Sequence, residues 1–211
     1  MKKVFLYLYP IEEYTKMFLY DDKTYSNWKV KNPLLVLNEC ITKRYRNNDY
    51  QVVFALYPDK NLFGVIPTKE DKIIFTDISF QEASAYNEKG NKKMDFEPRY
   101  PNEEFLISQL GNIDELVIGG YHAQDCVKRV GEKALSMGID TIIDLDLTDL
   151  FFSLYKQENY FNVEEYNPQR YKEYFINKAL KYGGEFAERR FNENYSSMAY
   201  GFDVDKHKKR K

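Results

Sequence analysis

The chain opens with one uninterrupted apolar run, Val4-Phe5-Leu6-Tyr7-Leu8-Tyr9, which Pro10 closes. A strand with one face in water alternates apolar and polar side chains, whereas a strand covered on both faces is apolar throughout. This run therefore predicts a strand in the centre of a parallel sheet. The pattern returns in residues 51–57, and between the two runs Asn32-Pro33 predicts the N-cap and first position of a helix. Strand, helix and strand together form a βαβ unit.

The same alternation continues along the chain. Further strands are predicted at residues 72–76, 115–120 and 141–144. Asn102 is placed to cap a helix that Gly111 ends, and a second helix is predicted over residues 123–137. Buried strands separated by helices predict an α/β fold over residues 1–150. We expect a doubly wound, mainly parallel sheet in a three-layer αβα arrangement.

Residues 151–211 have a different character. They are aromatic and polar, with helix predictions near 148–157 and 169–182, and a basic end at 206–211. We expect a mainly helical appendage and basic tail. Because Tyr suits surfaces that are buried at one end and wet at the other, this third of the chain is also predicted to bind a second copy or a protein partner. The alternative is that its aromatic side chains cover the sheet as ordinary core.

Composition narrows the classes of function. The net charge is −2, from 31 basic and 33 acidic residues, so no overall field favours nucleic acid or an anionic membrane. An aromatic share of 17% argues against disorder, and no stretch approaches the roughly 18 apolar residues of a membrane span. Two cysteines, Cys40 and Cys126, cannot form a disulfide framework, and the N-terminal apolar run is too short for a signal peptide. A reduced, cytoplasmic setting is expected, with no membrane or nucleic-acid partner.

Ligands of open α/β sheets bind beyond the carboxyl ends of the strands. That rule is expected to bring together Tyr9, Tyr57, Asp77, the turn 120–122, Cys126, Asp144 and Asp146. Cys126 is predicted in the first turn of a helix, where unpaired N–H groups and the positive dipole end lower a thiol pKa and bind oxyanions. The alternative is a small buried core residue in the apolar stripe of that helix.

The segment around this cysteine resembles a known family. It reads Gly120-Tyr121-His122-Ala123-Gln124-Asp125-Cys126-Val127, preceded by Leu116-Val117-Ile118-Gly119 and followed by a helix that ends before Gly138. The isochorismatase-like cysteine hydrolases have a strand, a Gly-x-x-Thr-x-x-Cys-Val turn and a helix in the same order. The resemblance spans about residues 4–150. It implies hydrolysis of a small-molecule amide or related bond through Cys126, as in a cysteine hydrolase.

The sequence also departs from the family pattern at catalytic positions. The catalytic triad of the family is Asp, Lys and Cys, but the Asp position holds Tyr9 and the Lys position falls near Glu97. The Thr position holds Ala123, and the metal ligands of the nicotinamidase branch have no counterpart. Two of the three groups are lost, so two hypotheses stay open. One is a divergent hydrolase, and the other is a pseudoenzyme that keeps the fold for binding or assembly as an oligomer or complex.

Other residues could replace the missing groups. His122 lies four residues before Cys126 and could activate the thiol, and Arg99 could supply the positive charge of the Lys. The predicted catalytic residues are therefore Cys126 and His122. The predicted binding residues are Tyr9, Glu97, Arg99, Gly120 and Tyr121, and no metal or cofactor is expected.

A second pattern lies in residues 142–148, where an apolar strand leads into Asp-x-Asp-x-Thr. In haloacid dehalogenase-like phosphotransferases this pattern supplies a nucleophilic Asp, here Asp144, an acid/base Asp, here Asp146, and a magnesium site. That motif normally lies on the first strand, and only about 60 residues follow it here. The simpler interpretation is a strand end followed by Thr148 as a helix cap.

Overall fold

The computed structural model describes residues 1–20, 32–81 and 98–150. The strands are β1 (Lys3–Leu8), β2 (Tyr50–Leu56), β3 (Lys72–Phe75), β4 (Glu115–Gly120) and β5 (Asp140–Thr148). The helices are α1 (Glu12–Tyr20), α2 (Pro33–Cys40), α3 (Glu103–Ser108) and α4 (Lys128–Ser136). A π-helical turn (Ile41–Tyr45) and a 3-10 turn (Arg46–Asn48) extend α2, and a second π-helical turn (Ala123–Val127) leads into α4.

The five described strands form one parallel sheet in the order β3-β2-β1-β4-β5. β1 lies at its centre, with Leu6 paired to Val53 of β2 on one side and to Ile118 of β4 on the other. The uninterrupted apolar run of β1 follows from this position, because both of its faces are covered. The predicted doubly wound parallel sheet is confirmed.

Both faces of the sheet are packed. Val4, Leu6 and Leu8 of β1 lie in one buried cluster with residues of α3 and α4. Phe5 and Tyr7 point to the opposite face and pack in a second cluster with residues of α1 and α2. Alternation of side chains along one strand thus serves two cores, and the three-layer αβα arrangement is confirmed.

The two predicted helix caps differ. Asn102 accepts a hydrogen bond from the backbone N–H of Phe105 at 3.0 Å, as expected of an N-cap. Asn32 precedes the helix that starts at Pro33, but it lies in the left-handed region, with φ 53°, and its side chain makes no cap hydrogen bond. The predicted start of α2 is therefore confirmed, and the predicted capping role of Asn32 is wrong.

β5 is longer than predicted, and this changes the location of Asp144. The strand continues to Thr148, so Asp144 lies inside it and not at the rim of the sheet. Its fully buried carboxylate is 3.1 Å from the fully buried guanidinium of Arg44 and accepts a hydrogen bond from Tyr45 at 2.5 Å. Thr148 donates to the carbonyl of Asp144 at 2.7 Å and belongs to the strand, so its predicted role as a helix cap is also wrong.

Several predictions fall outside the described residues. These are the C-terminal appendage at 151–211, with its helices and basic tail, and Glu97. The side chain of Asp146 is likewise outside the description. Among the helices that are described, none has the length and apolar character needed to cross a membrane.

Candidate functional site

The strand order places the candidate site at the switch point of the sheet. β1 and β4 are neighbours, but the chain leaves β1 towards β2 and leaves β4 towards β5. The connections after these two strands run in opposite directions and leave a crevice between them, which is where open α/β sheets bind ligands. Tyr9 follows β1, and Cys126 follows β4.

Gly120 allows the turn after β4 to lie close to β1. Its φ is 104°, and a Cβ atom at this position would lie 2.1 Å from the carbonyl oxygen of Leu8. No other residue fits here, since both the backbone conformation and the contact exclude a side chain. The peptide bond between Tyr121 and His122 is cis.

A small cleft opens beside Cys126. Its empty volume is about 210 Å³ including solvent at the mouth, and its lining is Tyr9, Tyr100, Pro101, Asn102, Glu103, Leu106, Cys126, Arg129 and Val130. Most of this volume is open to solvent, and the enclosed part, about 10 Å³, is the size of one water molecule.

The environment of Cys126 keeps its sulfur protonated. The residue is 6% exposed, and burial raises the pKa of its thiol to about 12, with a further contribution from the neighbouring carboxylate of Asp125. A hydrogen bond with Tyr57 and the charge of Arg129 act in the opposite direction but are weaker. A helix N-terminus alone would lower the pKa of the thiol. Here the pKa is raised, because the effect of desolvation is larger than that of the backbone N–H groups.

Tyr9, which the sequence resemblance aligns with the catalytic Asp of the family, is a buried aromatic residue. Its φ is 54°, and its ring stacks on Tyr57 with centroids 4.3 Å apart and an interplanar angle of 20°. The side chain is 1% exposed, and burial raises the pKa of its phenol well above the usual value. A neutral phenol cannot take the thiol proton as a carboxylate does.

The imidazole and the backbone of His122 have different partners. Nδ1 lies 3.5 Å from Oδ1 of Asp149, and the ring contacts Tyr14, with centroids 4.5 Å apart. The hydroxyl groups of Tyr14 and Tyr57 are 3.2 Å apart. The backbone of His122 makes a hydrogen bond with Cys126, which lowers the pKa of the thiol by less than burial raises it. Activation of the thiol by the His122 side chain stays a prediction.

The remaining predicted binding residues lie at different places. Tyr121 is fully buried and belongs to the core on the opposite face of the sheet, where its ring lies 6.1 Å from that of Tyr7. Arg99 is exposed, forms a backbone bridge with Gln81 and is outside the lining of the cleft.

The cation in the lining is Arg129, which sequence reasoning missed. Its guanidinium lies 4.1 Å from the ring centroid of Tyr100 and 2.6 Å from Oε1 of Glu103. Arg129 follows Cys126 by three residues, a spacing that puts two side chains on the same face of a helix. That spacing was the available signal.

The described residues were also compared with the groupings of side chains that bind metal ions. Among residues 1–20, 32–81 and 98–150, no three His, Cys, Asp or Glu side chains are grouped so as to hold an ion. Glu103, the acidic residue in the lining of the cleft, is bound to Arg129.

Comparison with known proteins gives similarity at the level of structure. No protein-family model matches the chain, and no curated protein matches it. Among solved structures, N-carbamoylsarcosine amidase from Thermoplasma acidophilum is 16% identical, with a TM-score of 0.44, over 70% of this chain and 84% of that one. An isochorismatase family protein is 14% identical, with a TM-score of 0.42, over 69% of this chain and 80% of that one.

The YcaC gene product from Escherichia coli, an octameric hydrolase, is also similar. It is 12% identical, with a TM-score of 0.39, over 70% of this chain and 63% of that one. Isochorismatase-family structures are thus among those similar to this chain.

Proposed function

We propose that this chain is a non-catalytic protein of the isochorismatase-like type, which uses the fold for binding or assembly. The observation that carries the proposal is a Cys126 thiol that burial keeps protonated, in a cleft it shares with Tyr9, which is stacked on Tyr57. By the sequence resemblance, Tyr9 takes the place of the catalytic Asp. A cysteine hydrolase needs a thiolate, and the thiolate needs a group that accepts its proton.

The charged groups near Cys126 support the same conclusion. Asp125, its neighbour in the chain, raises the pKa of the thiol through its negative charge. Glu103 is bound to Arg129, which also stacks on Tyr100, so the cation of the cleft is already neutralised. Neither a free base nor a free cation is directed at the sulfur among the described contacts.

The size of the cleft supports the same conclusion. Its lining holds the buried Cys126 and Tyr9 together with the ion pair of Glu103 and Arg129. Because the enclosed space is about the size of one water molecule, there is little room for a substrate beside the thiol.

One feature favours a second candidate, a divergent hydrolase using Cys126. Tyr57 links the thiol to Tyr14, whose ring contacts His122. Such a chain of hydroxyl groups could carry a proton from the sulfur towards the imidazole when a substrate is bound.

The rate at which iodoacetamide alkylates Cys126 distinguishes the non-catalytic protein from the hydrolase. At pH 7.5, a thiol of pKa about 12 has a thiolate fraction roughly 3,000-fold smaller than a free cysteine of pKa about 8.5. A more basic thiolate is also more nucleophilic, which raises its reaction rate by a factor of about 40. With glutathione as the free-cysteine reference, we therefore expect alkylation of Cys126 to be about 100-fold slower.

The rate should also rise about tenfold per pH unit between roughly pH 7 and 10, with no inflection. Mass spectrometry of the alkylated peptides reads Cys126 and Cys40 separately, and fully buried Cys40 is the internal reference for an inaccessible thiol. A rate equal to that of glutathione, or an inflection between about pH 6 and 8, would support the hydrolase and overturn the proposal.

A further inference from the structure

The lining of the cleft beside Cys126 divides into a buried wall and a partly exposed mouth. The wall consists of buried residues: Tyr9, Pro101, Leu106, Cys126 and Val130. The remaining lining residues are partly or largely exposed: Tyr100, Asn102, Glu103 and Arg129. A molecule that reaches the thiol from solvent through this cleft therefore passes the second group, which we call the mouth.

Side chains from three segments meet across the mouth. The guanidinium of Arg129 on α4 lies 4.1 Å from the ring centroid of Tyr100 and 2.6 Å from Oε1 of Glu103 on α3. A cation over an aromatic face is attracted by the ring. Partial burial and a hydrogen bond with Asp125 raise the pKa of the Tyr100 phenol, so the hydroxyl stays protonated and donates to that carboxylate. The Tyr100 ring is thus held on the side of the mouth formed by α4.

The backbone on both sides of Tyr100 is held in place. Arg99 and Gln81 exchange two backbone hydrogen bonds, at 3.1 and 3.2 Å. Two residues after Tyr100, the N–H of Asn102 donates to Oδ1 of Asp77 at 2.8 Å, and the side chain of Asn102 caps α3. The ring of Tyr100 can therefore leave the mouth by rotation of its side chain, without movement of the backbone.

We propose that Tyr100 is the gate of this cleft and that Arg129 is the latch that holds it closed. In the closed state the ring lies against the guanidinium, and the space enclosed beside the thiol is about the size of one water molecule. In the open state the ring has turned away from Arg129, and the enclosed space joins the solvent. The proposal does not depend on whether Cys126 is catalytic, since it concerns access to the thiol.

The contacts of the latch are weak enough for the gate to open. The side chain of Arg129 is 43% exposed and that of Glu103 is 22% exposed. Contacts between exposed groups are weak, because water competes for both partners. We therefore expect an open state that is a minor population, of the order of 0.1–10% of the molecules.

Two alkylating reagents of different bulk test the gate. Iodoacetamide and iodoacetanilide have the same reactive group, but iodoacetanilide carries an additional phenyl ring and needs the fully open mouth. Each rate at Cys126 is divided by the rate of the same reagent with glutathione. The ratio of the two normalised rates is independent of the thiolate fraction, because both reagents attack the same thiolate. In the unaltered chain iodoacetanilide should be slowed at least about tenfold more than iodoacetamide.

Three variants assign this discrimination to the gate. Tyr100→Ala removes the ring and should bring the two normalised rates together. Arg129→Gln keeps the ring but removes the cation, so the discrimination should be smaller than in the unaltered chain. Phe105→Ala is the matched control, because Phe105 is an aromatic residue of α3 that is 45% exposed and lies outside the lining of the cleft. It should discriminate like the unaltered chain.

Equal normalised rates in the unaltered chain would overturn the proposal, as would a discrimination that Tyr100→Ala leaves unchanged. Full discrimination in Arg129→Gln would overturn the role of the latch. Fast alkylation of the fully buried Cys40 reports an unfolded variant, and if Tyr100→Ala unfolds, Arg129→Gln decides, since it alters a side chain on the surface of α4. The absolute rate with iodoacetamide tests the proposed function separately, because a reactive thiol raises both rates alike.

Discussion

Replacing Arg44 by methionine should strongly destabilise the fold. Arg44 and Asp144 both have side chains that are 0% exposed, and the guanidinium nitrogen lies 3.1 Å from the carboxylate oxygen. The two residues are 100 positions apart in the chain, so the contact joins α2 and its extension to β5. Tyr45 adds a hydrogen bond to the same carboxylate at 2.5 Å.

The magnitude follows from burial. With an effective dielectric constant of about 20, two unit charges at this distance attract each other by about 5 kcal/mol. Loss of the cation leaves the Asp144 carboxylate desolvated without that attraction. Removing one partner of a buried pair typically costs about 3–5 kcal/mol. For a chain of this length the expected fall in Tm is about 6–20 °C.

Urea unfolding followed by circular dichroism measures the effect. The matched control is Lys128→Met, which removes an exposed pair with Glu132 at 3.7 Å and should change the free energy of unfolding by less than about 0.5 kcal/mol. Arg44→Met combined with Asp144→Leu should recover most of the loss, because no buried charge remains. A loss below about 1 kcal/mol for Arg44→Met alone would refute the reasoning.

Two further predictions concern buried hydroxyl and thiol groups. Tyr45→Phe removes the hydrogen bond to Asp144 and should lower the free energy of unfolding by about 1.5–3 kcal/mol. Tyr9→Phe should change it by less than about 0.5 kcal/mol, since the Tyr9 hydroxyl makes no hydrogen bond among the described contacts. Equal losses for the two variants in urea unfolding would contradict this. Because the pKa of Cys126 is raised to about 12 when folded, the unfolded state binds fewer protons above about pH 8.5, and stability falls with rising pH by up to about 1.4 kcal/mol per unit. Cys126→Ala should show a shallower decline between about pH 9 and 10.5, and an identical slope would show that the folded thiol is not shifted.

The layers of the fold could be predicted because burial leaves a pattern in single segments. An apolar run without alternation requires cover on both faces, and this predicts β1 at the centre of the sheet. Gly120 was likewise recognised as part of a turn, since glycine is common where the backbone passes close to another strand. The predicted end of β5 was wrong because polar residues such as Asp144 do not end a strand when a distant partner neutralises them.

The candidate site was only partly predictable. Cys126 and Tyr9 were correctly expected to lie near each other, since both follow neighbouring parallel strands. The role of Arg129 was missed, although its spacing from Cys126 was visible. The environment of His122 could not be read from a separation of four residues, because the chain passes from one face of the sheet to the other between Tyr121 and Cys126.

The amino-acid sequence by itself determined the parallel α/β sheet, its central strand and the order of its layers, because these depend on the apolar pattern of each segment. Only the tertiary structure decided the chemistry at Cys126. Tyr9 and Cys126 line the same cleft, and burial raises the thiol pKa. Likewise, the pairing of Arg44 with Asp144 and the contact of Arg129 with Tyr100 depend on which segments meet in space, and local sequence does not encode those distances.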